Sequence, residues 1–375
     1  NFSLSAWPEG RSVDTRPSPT GTLTRQRDER RTGRVRVMIV DDSLIVRSVL
    51  SRALTAEQGF DIVAKIGSAE LALAQLANAA ADVILLDLDM PGMGGLEALP
   101  RILAADRHTQ VLVVSSLTDI GAEHTLAALS MGAADTLLKP RSGEFDEAYR
   151  DLLVAKVRAL GVANQARRAP ARATPARPRP SPAHIAAIAI GASTGGVHAL
   201  GILLRNLPNR VTAPILITQH LPASFIEVFA RQIETAAHRP TFVAEDGMAL
   251  KDGHIYVAGA TGHMIVAPHH DGLVIATDHA RAPSGCLPSV DPLFAALARH
   301  AGPRGLAVIL SGMGRDGTLG ATELAAAGGT ILIQDKGSSA VWGMPGSVAD
   351  AGVAHAMLPP DLLALRIAAL CGRCQ

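Results

Sequence analysis

With 375 residues, the chain is too long for one ordinary hydrophobic core and implies two domains. A hydrophobic fraction of 48% against 18% charged excludes disorder throughout. A formal net charge of +1 supplies no global field for nucleic acid or an anionic membrane, and aromatics at 3% leave little for stacking on bases.

Residues 1–34 are polar, rich in Arg, Thr, Ser and Pro, and lack apolar periodicity, which predicts a disordered extension. They hold no compact apolar core followed by a cleavage site, so no secretory signal is expected. No apolar run long enough to span a bilayer is free of charges and helix breakers. A cytoplasmic address without direct membrane insertion follows.

Order is expected from 35–40, a short apolar run ending in Asp41 and Asp42. Runs at 82–87, 110–115 and 134–139 repeat that design, with helical spacing at 44–54 and 69–77. Apolar strands alternating with helices predict βαβ units around a buried parallel sheet, here of about five strands across 35–155. Each run carries a polar residue at its C-terminal end, where doubly wound sheets place their ligands. A linker is expected over 156–182, because the composition turns to Ala, Arg and Pro and repeated prolines favour an extended, semi-stiff chain. A second α/β pattern fills 183–375. Its strands fall at 185–190, 214–219, 305–310 and 329–334, and its helices near 196–207, 223–237, 290–300 and 318–327. Short Gly-bounded runs at 254–257, 264–266 and 273–275 read as antiparallel hairpins.

Asp41, Asp42 and Asp87 all terminate strands of the first half and should converge. Crowded carboxylates resist ionising unless a cation intervenes, and a hard divalent ion such as Mg²⁺ suits them. A carboxylate can also attack a phosphoryl group to give an aspartyl phosphate. Lys139 offers a compact positive charge to that phosphate, and the Ser115 hydroxyl a hydrogen bond. Any one of these residues alone would be an ordinary solvated strand end; the constellation is what carries the reading. The segments Val40-Asp41-Asp42-Ser43, Leu86-Asp87-Leu88-Asp89-Met90-Pro91-Gly92, Val114-Ser115-Ser116 and Leu138-Lys139-Pro140 resemble response-regulator receiver domains, flavodoxin-like in fold. The resemblance implies that Asp87 accepts phosphate from a histidine kinase, with Asp41, Asp42 and Asp87 holding Mg²⁺ and Ser115 and Lys139 responding to the phosphoryl group. The chain departs from many receivers at Thr136, where they carry an aromatic switch residue.

Gly191-Ala192-Ser193-Thr194-Gly195-Gly196 follows a strand and opens a helix, matching G-x-S-x-G, the pattern of a nucleophile on a strand-to-helix elbow. A loop that cradles a ligand phosphate without catalysis is the other reading of these glycines. Serine needs a base, and the base needs orienting. His220 follows the strand at 214–219, and Asp316 lies in the Gly-rich loop after 305–310. Three strand ends would thus bring Ser193, His220 and Asp316 together as a triad in an order unlike the familiar hydrolases. These segments, with Gln219-His220-Leu221-Pro222, Pro288-Ser289-Val290-Asp291, Ser311-Gly312-Met313-Gly314-Arg315-Asp316-Gly317 and Trp342-Gly343-Met344-Pro345, resemble the chemotaxis protein-glutamate methylesterases of the CheB family.

That resemblance implies a phosphorylation-activated serine hydrolase that removes methyl esters from glutamates on chemoreceptor cytoplasmic helices, releasing methanol, and deamidates glutamines. The histidine kinase CheA would be the phosphodonor. Backbone amides at Thr194 and Met313 are candidate oxyanion donors, and the ester step is expected to need no cofactor. Receptors outside motility signalling, or a non-catalytic binding module, remain open. Nucleic-acid output is disfavoured because the second half has no helix-turn-helix pattern. Three cysteines are too few for a disulfide scaffold, and the terminal Cys371 and Cys374 read as free thiols.

Overall fold

Strands buried on both faces must be apolar throughout, and the runs found in the sequence are the ones that assemble into sheets. The structure, a computed structural model, describes residues 33–76, 80–116, 119–139, 145–167 and 184–372. The extension 1–34 lies almost wholly outside the described residues, as do the proline-rich part of the linker, Pro140 and Cys374.

The first half runs β1 (Val35–Val40), α1 (Leu44–Thr55), β2 (Phe60–Ile66), α2 (Ala69–Leu76), β3 (Val83–Asp87), α3 (Gly95–Ala105), β4 (Gln110–Ser115), α4 (Asp119–Met131), β5 (Asp135–Leu138) and α5 (Glu147–Arg167). Its five strands lie in the order β2-β1-β3-β4-β5, all parallel. The chain reverses its direction of winding between β1 and β3, so the crevice for a ligand opens at the C-terminal ends of those two strands. Asp41, Asp42 and Asp87 stand there. The edge strand β2 has no continuous apolar run; Asp61 and Lys65 interrupt it and only Phe60 is fully buried.

Helix α5 extends to Arg167, so residues 156–167, expected to be linker, are helical. Ala, Leu, Arg and Lys are good helix formers, and Leu153, Val157 and Leu160 fall on one face. That face packs beneath the sheet against Val35 and Val37. Composition registered the arginines and alanines of this stretch but not the apolar stripe running through them.

The second half runs β6 (Ala187–Ala192), α6 (Gly196–Arg205), β7 (Ile215–Gln219), α7 (Ile226–Ala237), β8 (Thr241–Val243), β9 (Ile255–Val257), β10 (His263–His269) and β11 (Gly272–Asp278). It continues through α8 (Val290–His300), β12 (Gly305–Ile309), α9 (Thr318–Ala326), β13 (Thr330–Gln334), α10 (Met344–Asp350), β14 (Ala356–Leu358) and α11 (Pro360–Cys371). Seven strands form a parallel sheet, β14-β13-β12-β6-β7-β9-β8, and β10 with β11 forms one antiparallel hairpin. The run at 254–257 is therefore not a hairpin strand: β9 pairs in parallel with β7 and β8, and all three of its residues are buried. Three residues are too short for periodicity to tell a core strand from a ribbon. In this sheet β6 lies between β12 and β7, so the switch point falls at the end of β6, beside Ser193.

Both sheets belong to one compact unit beginning at Val35. Apolar packing is continuous between them. Leu126 and Leu129 of α4 share a core with Leu200, Leu203 and Phe225. Val341, from the loop before α10, is buried among Leu112, Val114 and Leu137 of the first sheet.

Candidate active site and phosphorylation pocket

At the mouth of the first sheet, Asp41 and Asp87 are each 1% exposed while Asp42 faces solvent. Carboxylate oxygens of all three lie within 4.8 Å of one another. Lys139 Nζ donates to Asp87 Oδ2 at 2.6 Å and stands 3.4 Å from Asp41 Oδ2. Burial raises the Asp87 carboxyl above the ordinary Asp value, against the pull of Lys139. Burial works against the Lys139 ammonium, but Asp87 and Asp41 outweigh it and hold its pKa above the ordinary value. Among the described residues the buried Ser115 hydroxyl has no hydrogen-bond partner, and Asp41 Oδ2 has the Lys139 ion pair at 3.4 Å in place of one. A buried hydroxyl left without a partner costs about 1–3 kcal/mol, and this one lies beside the carboxylates, where a bound oxygen would satisfy it. The donor set of hard oxygens around one open side fits Mg²⁺.

Ser193 follows β6 directly. Its amide donates to Ser311 O at 3.0 Å, and its carbonyl accepts from Gln219 Nε2 at 2.9 Å. Gly195, at φ 78°, makes the turn into α6 that a side chain would resist. A Cβ on Gly312 would lie 3.0 Å from the Ser193 Cβ and 2.3 Å from Met344 Sδ, so only glycine lets this loop approach the serine. His220 is fixed next door, its amide on Ala192 O at 3.1 Å.

The imidazole is held by Asp316: His220 Nε2 and Asp316 Oδ2 are 2.9 Å apart. Asp316 is 2% exposed and also accepts from Ser289 Oγ (2.7 Å), Val290 N (2.8 Å), Asp291 N (3.3 Å) and Gly317 N (2.9 Å). Two of those amides belong to the first turn of α8, whose dipole favours an anion. Burial opposes ionisation of Asp316, but the His220, Ser289 and Val290 bonds outweigh it and depress its pKa below the usual carboxylate range. Its neighbour Asp291 is pushed the other way, by burial and by the Asp316 charge. Burial likewise opposes the imidazolium of His220, yet Asp316 and the Cys286 thiol raise its pKa to about 9.

The structure thus joins His220 to Asp316 directly and sets Ser193 beside them through the backbone. A bond from Ser193 Oγ to the ring is not among the contacts of the described residues, and such bonds tighten only as substrate binds. The amides of Thr194 and Met313 have no acceptor among the described residues; the Thr194 hydroxyl and carbonyl are both engaged. Gln219, Ser289 and Ser311 lie in the sequence motifs without an assigned role, and Cys286 lies outside them. The Pro-Ser-Val-Asp segment was recognised as a motif, but nothing in its spacing said that it cradles Asp316.

The first half reaches this site through β5. Gly195 N donates to Ala134 O at 2.6 Å, and Thr194 Oγ1 donates to Asp135 Oδ2 at 2.5 Å. Lys156 Nζ of α5 holds the same Asp135 oxygen at 2.6 Å. Farther along, His198 Nδ1 meets Ser130 O at 2.8 Å. A cleft of about 420 Å³ remains between β5, α5 and the loops carrying His220 and Cys286.

An acidic pocket closed by a lysine in a receiver fold, packed directly onto a second α/β sheet, defines a response regulator with an enzyme-like output domain. The family model for the response regulator receiver domain matches residues 37–149, and that for the CheB methylesterase matches 188–367. The chain is 46% identical to protein-glutamate methylesterase/protein-glutamine glutaminase 2 of Caulobacter vibrioides, over 89% of this chain and 98% of that protein. It is 40% identical to the first such protein of Paramagnetospirillum magneticum, over 91% and 97% of the two chains. The crystal structure of the Thermotoga maritima CheB methylesterase catalytic domain is 33% identical over 49% of this chain and 97% of that one, with a TM-score of 0.48. The chain belongs to the protein-glutamate methylesterase/protein-glutamine glutaminase family, enzymes regulated by phosphorylation of the attached receiver.

Proposed function

We propose that Ser193 is the nucleophile, His220 its base and Asp316 the group that holds and charges His220, acting on glutamate methyl esters of chemoreceptor cytoplasmic helices. The observation that carries this reading is the His220–Asp316 pair, held by four further donors at the switch point next to Ser193. Ser193 Oγ attacks the γ-carbonyl as neutral His220 takes its proton, and the amides of Thr194 and Met313 receive the oxyanion. His220 returns the proton to methanol. Water, deprotonated by the same ring, then hydrolyses the acyl-enzyme to glutamate, and a glutamine side chain would release ammonia by the same route.

Asp87 is the phosphoacceptor, with CheA as its phosphodonor in the cytoplasm; no described helix is long and apolar enough to cross a membrane. Asp41, Asp42 and Asp87 would hold Mg²⁺, which when bound offsets the charge of the incoming phosphoryl group. Ser115 and Lys139 take its oxygens. In the unphosphorylated chain, Ala134 and Asp135 clamp Gly195 and Thr194 and cover the serine; charge at Asp87 loosens that clamp. The test is methanol release from methylated receptor membranes with and without a phosphodonor. Wild type should be stimulated, Ser193→Ala inactive by orders of magnitude, and Asp87→Asn active only at the basal rate. Near-wild-type release by Ser193→Ala overturns the assignment.

A further inference from the structure

We propose that Cys286 is a positioning residue for the catalytic base: its thiol partners the His220 ring and sets the pH at which that ring becomes available to Ser193. The inference rests on the triad reading above. Donor atoms of Cys286, His220 and Asp316 lie within 4.8 Å of one another, so the thiol stands at the core of the triad rather than at its rim. The position of Cys286 is tied to the same carboxylate. Its amide donates to Ser284 Oγ at 3.3 Å, Ser284 Oγ donates to Ser289 Oγ at 3.1 Å, and Ser289 Oγ donates to Asp316 Oδ1 at 2.7 Å. One segment therefore supplies both the cradle of Asp316 and the thiol against His220.

A metal site is the other use of a His–Cys–Asp cluster, and the geometry argues against it. Both Asp316 oxygens are already taken by the ring, the Ser289 hydroxyl and three amides. Without Asp316 only two ligands remain, short of the three protein ligands of catalytic zinc. The thiol proton is directed to Ser284 O, 4.0 Å away, which leaves the sulfur as the atom that faces the ring. A sulfur that accepts from an imidazole N–H favours the imidazolium, the form with a proton on both ring nitrogens. This accords with the raised pKa of His220, to which burial is opposed and Asp316 and Cys286 contribute. The other charged or titratable groups around His220 are Asp291, behind Asp316, and across the cleft Asp135, Lys139, Tyr149 and Lys156. None of these is on the segment that carries the thiol.

The test uses the full chain with Mg²⁺ and acetyl phosphate present, and reads the rate of Ser193 labelling by a fluorophosphonate between pH 5.5 and 10. Cys286→Ala should move the acid limb of that profile downward by about one pH unit, the scale of one charge-assisted hydrogen bond. Cys286→Ser, which keeps a smaller acceptor at the same position, should fall between. A limb in Cys286→Ala that coincides with wild type overturns the proposal, even if the labelling rate falls uniformly. If Cys286→Ala fails to fold, the His220 ring titration followed by NMR in Cys286→Ser decides, a downward shift supporting the proposal and no shift overturning it. Labelling that is no faster in wild type than in Ser193→Ala would instead defeat the triad reading itself.

Discussion

Replacing Asp135 with Ala tests how the receiver restrains the enzyme. Asp135 Oδ2 accepts from Thr194 Oγ1 at 2.5 Å and from Lys156 Nζ at 2.6 Å. The Lys156 pair lies wholly within the receiver, so its loss weighs equally on the docked and released states and cancels. The Thr194 bond exists only when docked. A hydrogen bond to a charged group contributes about 1.5–3 kcal/mol, and Thr194, 6% exposed, would keep a desolvated hydroxyl once its acceptor is gone. Every 1.4 kcal/mol is tenfold, so the docked state should lose about ten- to hundredfold in population relative to the released one. Basal methanol release should rise by at least about tenfold while the phosphorylated rate stays put. Thr194→Val removes the same bond from the other side. Because it adjoins the nucleophile, the ratio of phosphorylated to unphosphorylated rates is the quantity to compare, since effects on chemistry divide out. The double variant should add little to either single one. A folded Asp135→Ala protein with an unchanged ratio would show that this contact does not hold the closed state.

Asp316→Asn should lower kcat by about four orders of magnitude, since an amide cannot support the imidazolium, while the fold persists by circular dichroism. The kcat/KM of the phosphorylated enzyme should rise with pH as His220 loses its proton, with the limb near the ring's value of about 9. The same raised pKa predicts that the His220–Asp316 pair stabilises the fold fully below the ordinary His range and that this contribution fades as pH rises through about 9; a His220→Gln variant should lose that pH dependence in thermal melts. Lys139→Ala leaves Asp87 and Asp41 facing each other without their cation. It should cost at or below the roughly 3 kcal/mol typical of breaking a fully buried pair, and Mg²⁺ should recover much of the loss in a melting experiment. Lack of a Mg²⁺ effect there would count against the carboxylates as its ligands.

The positions of the chemistry were legible because both sheets are parallel. Buried parallel strands read as apolar runs, and the polar residue that ends each run marks the ligand edge, so the sequence places Asp87, Ser115 and Lys139, and then Ser193 and His220, at strand ends and Asp316 in the loop after one. What stayed hidden depends on long-range pairing. The edge strand β2 and the short strands β8 and β14 carry too few buried residues to announce themselves. The contacts of Ser289 and Cys286 with the triad join residues separated in sequence by 27 positions for Ser289 and Asp316, and no local pattern encodes them. The helical extension of α5 was obscured for a different reason: arginine and alanine suit a solvated linker and a helix equally, and only the stripe of Leu153, Val157 and Leu160 decides between them.

That extension matters to control, because α5 carries Lys156 to the clamp. β5 has a charged residue at each end, Lys139 beyond its C-terminus on Asp87 and Asp135 at its N-terminus on Thr194. Four strand residues rise by about 13 Å, which is the span between the Asp87 pocket and the contact with Thr194. Under the proposed phosphorylation of Asp87, a displacement of Lys139 would reach Asp135 through this paired strand. Thr136 and Leu137 lie between the two ends, and Leu137 packs on Val341, whose own amide and carbonyl bond Ser311 Oγ and Gly312 N beside Ser193. Two sets of contacts therefore link β5 to the loops around Ser193, one polar through Asp135 and one apolar through Val341.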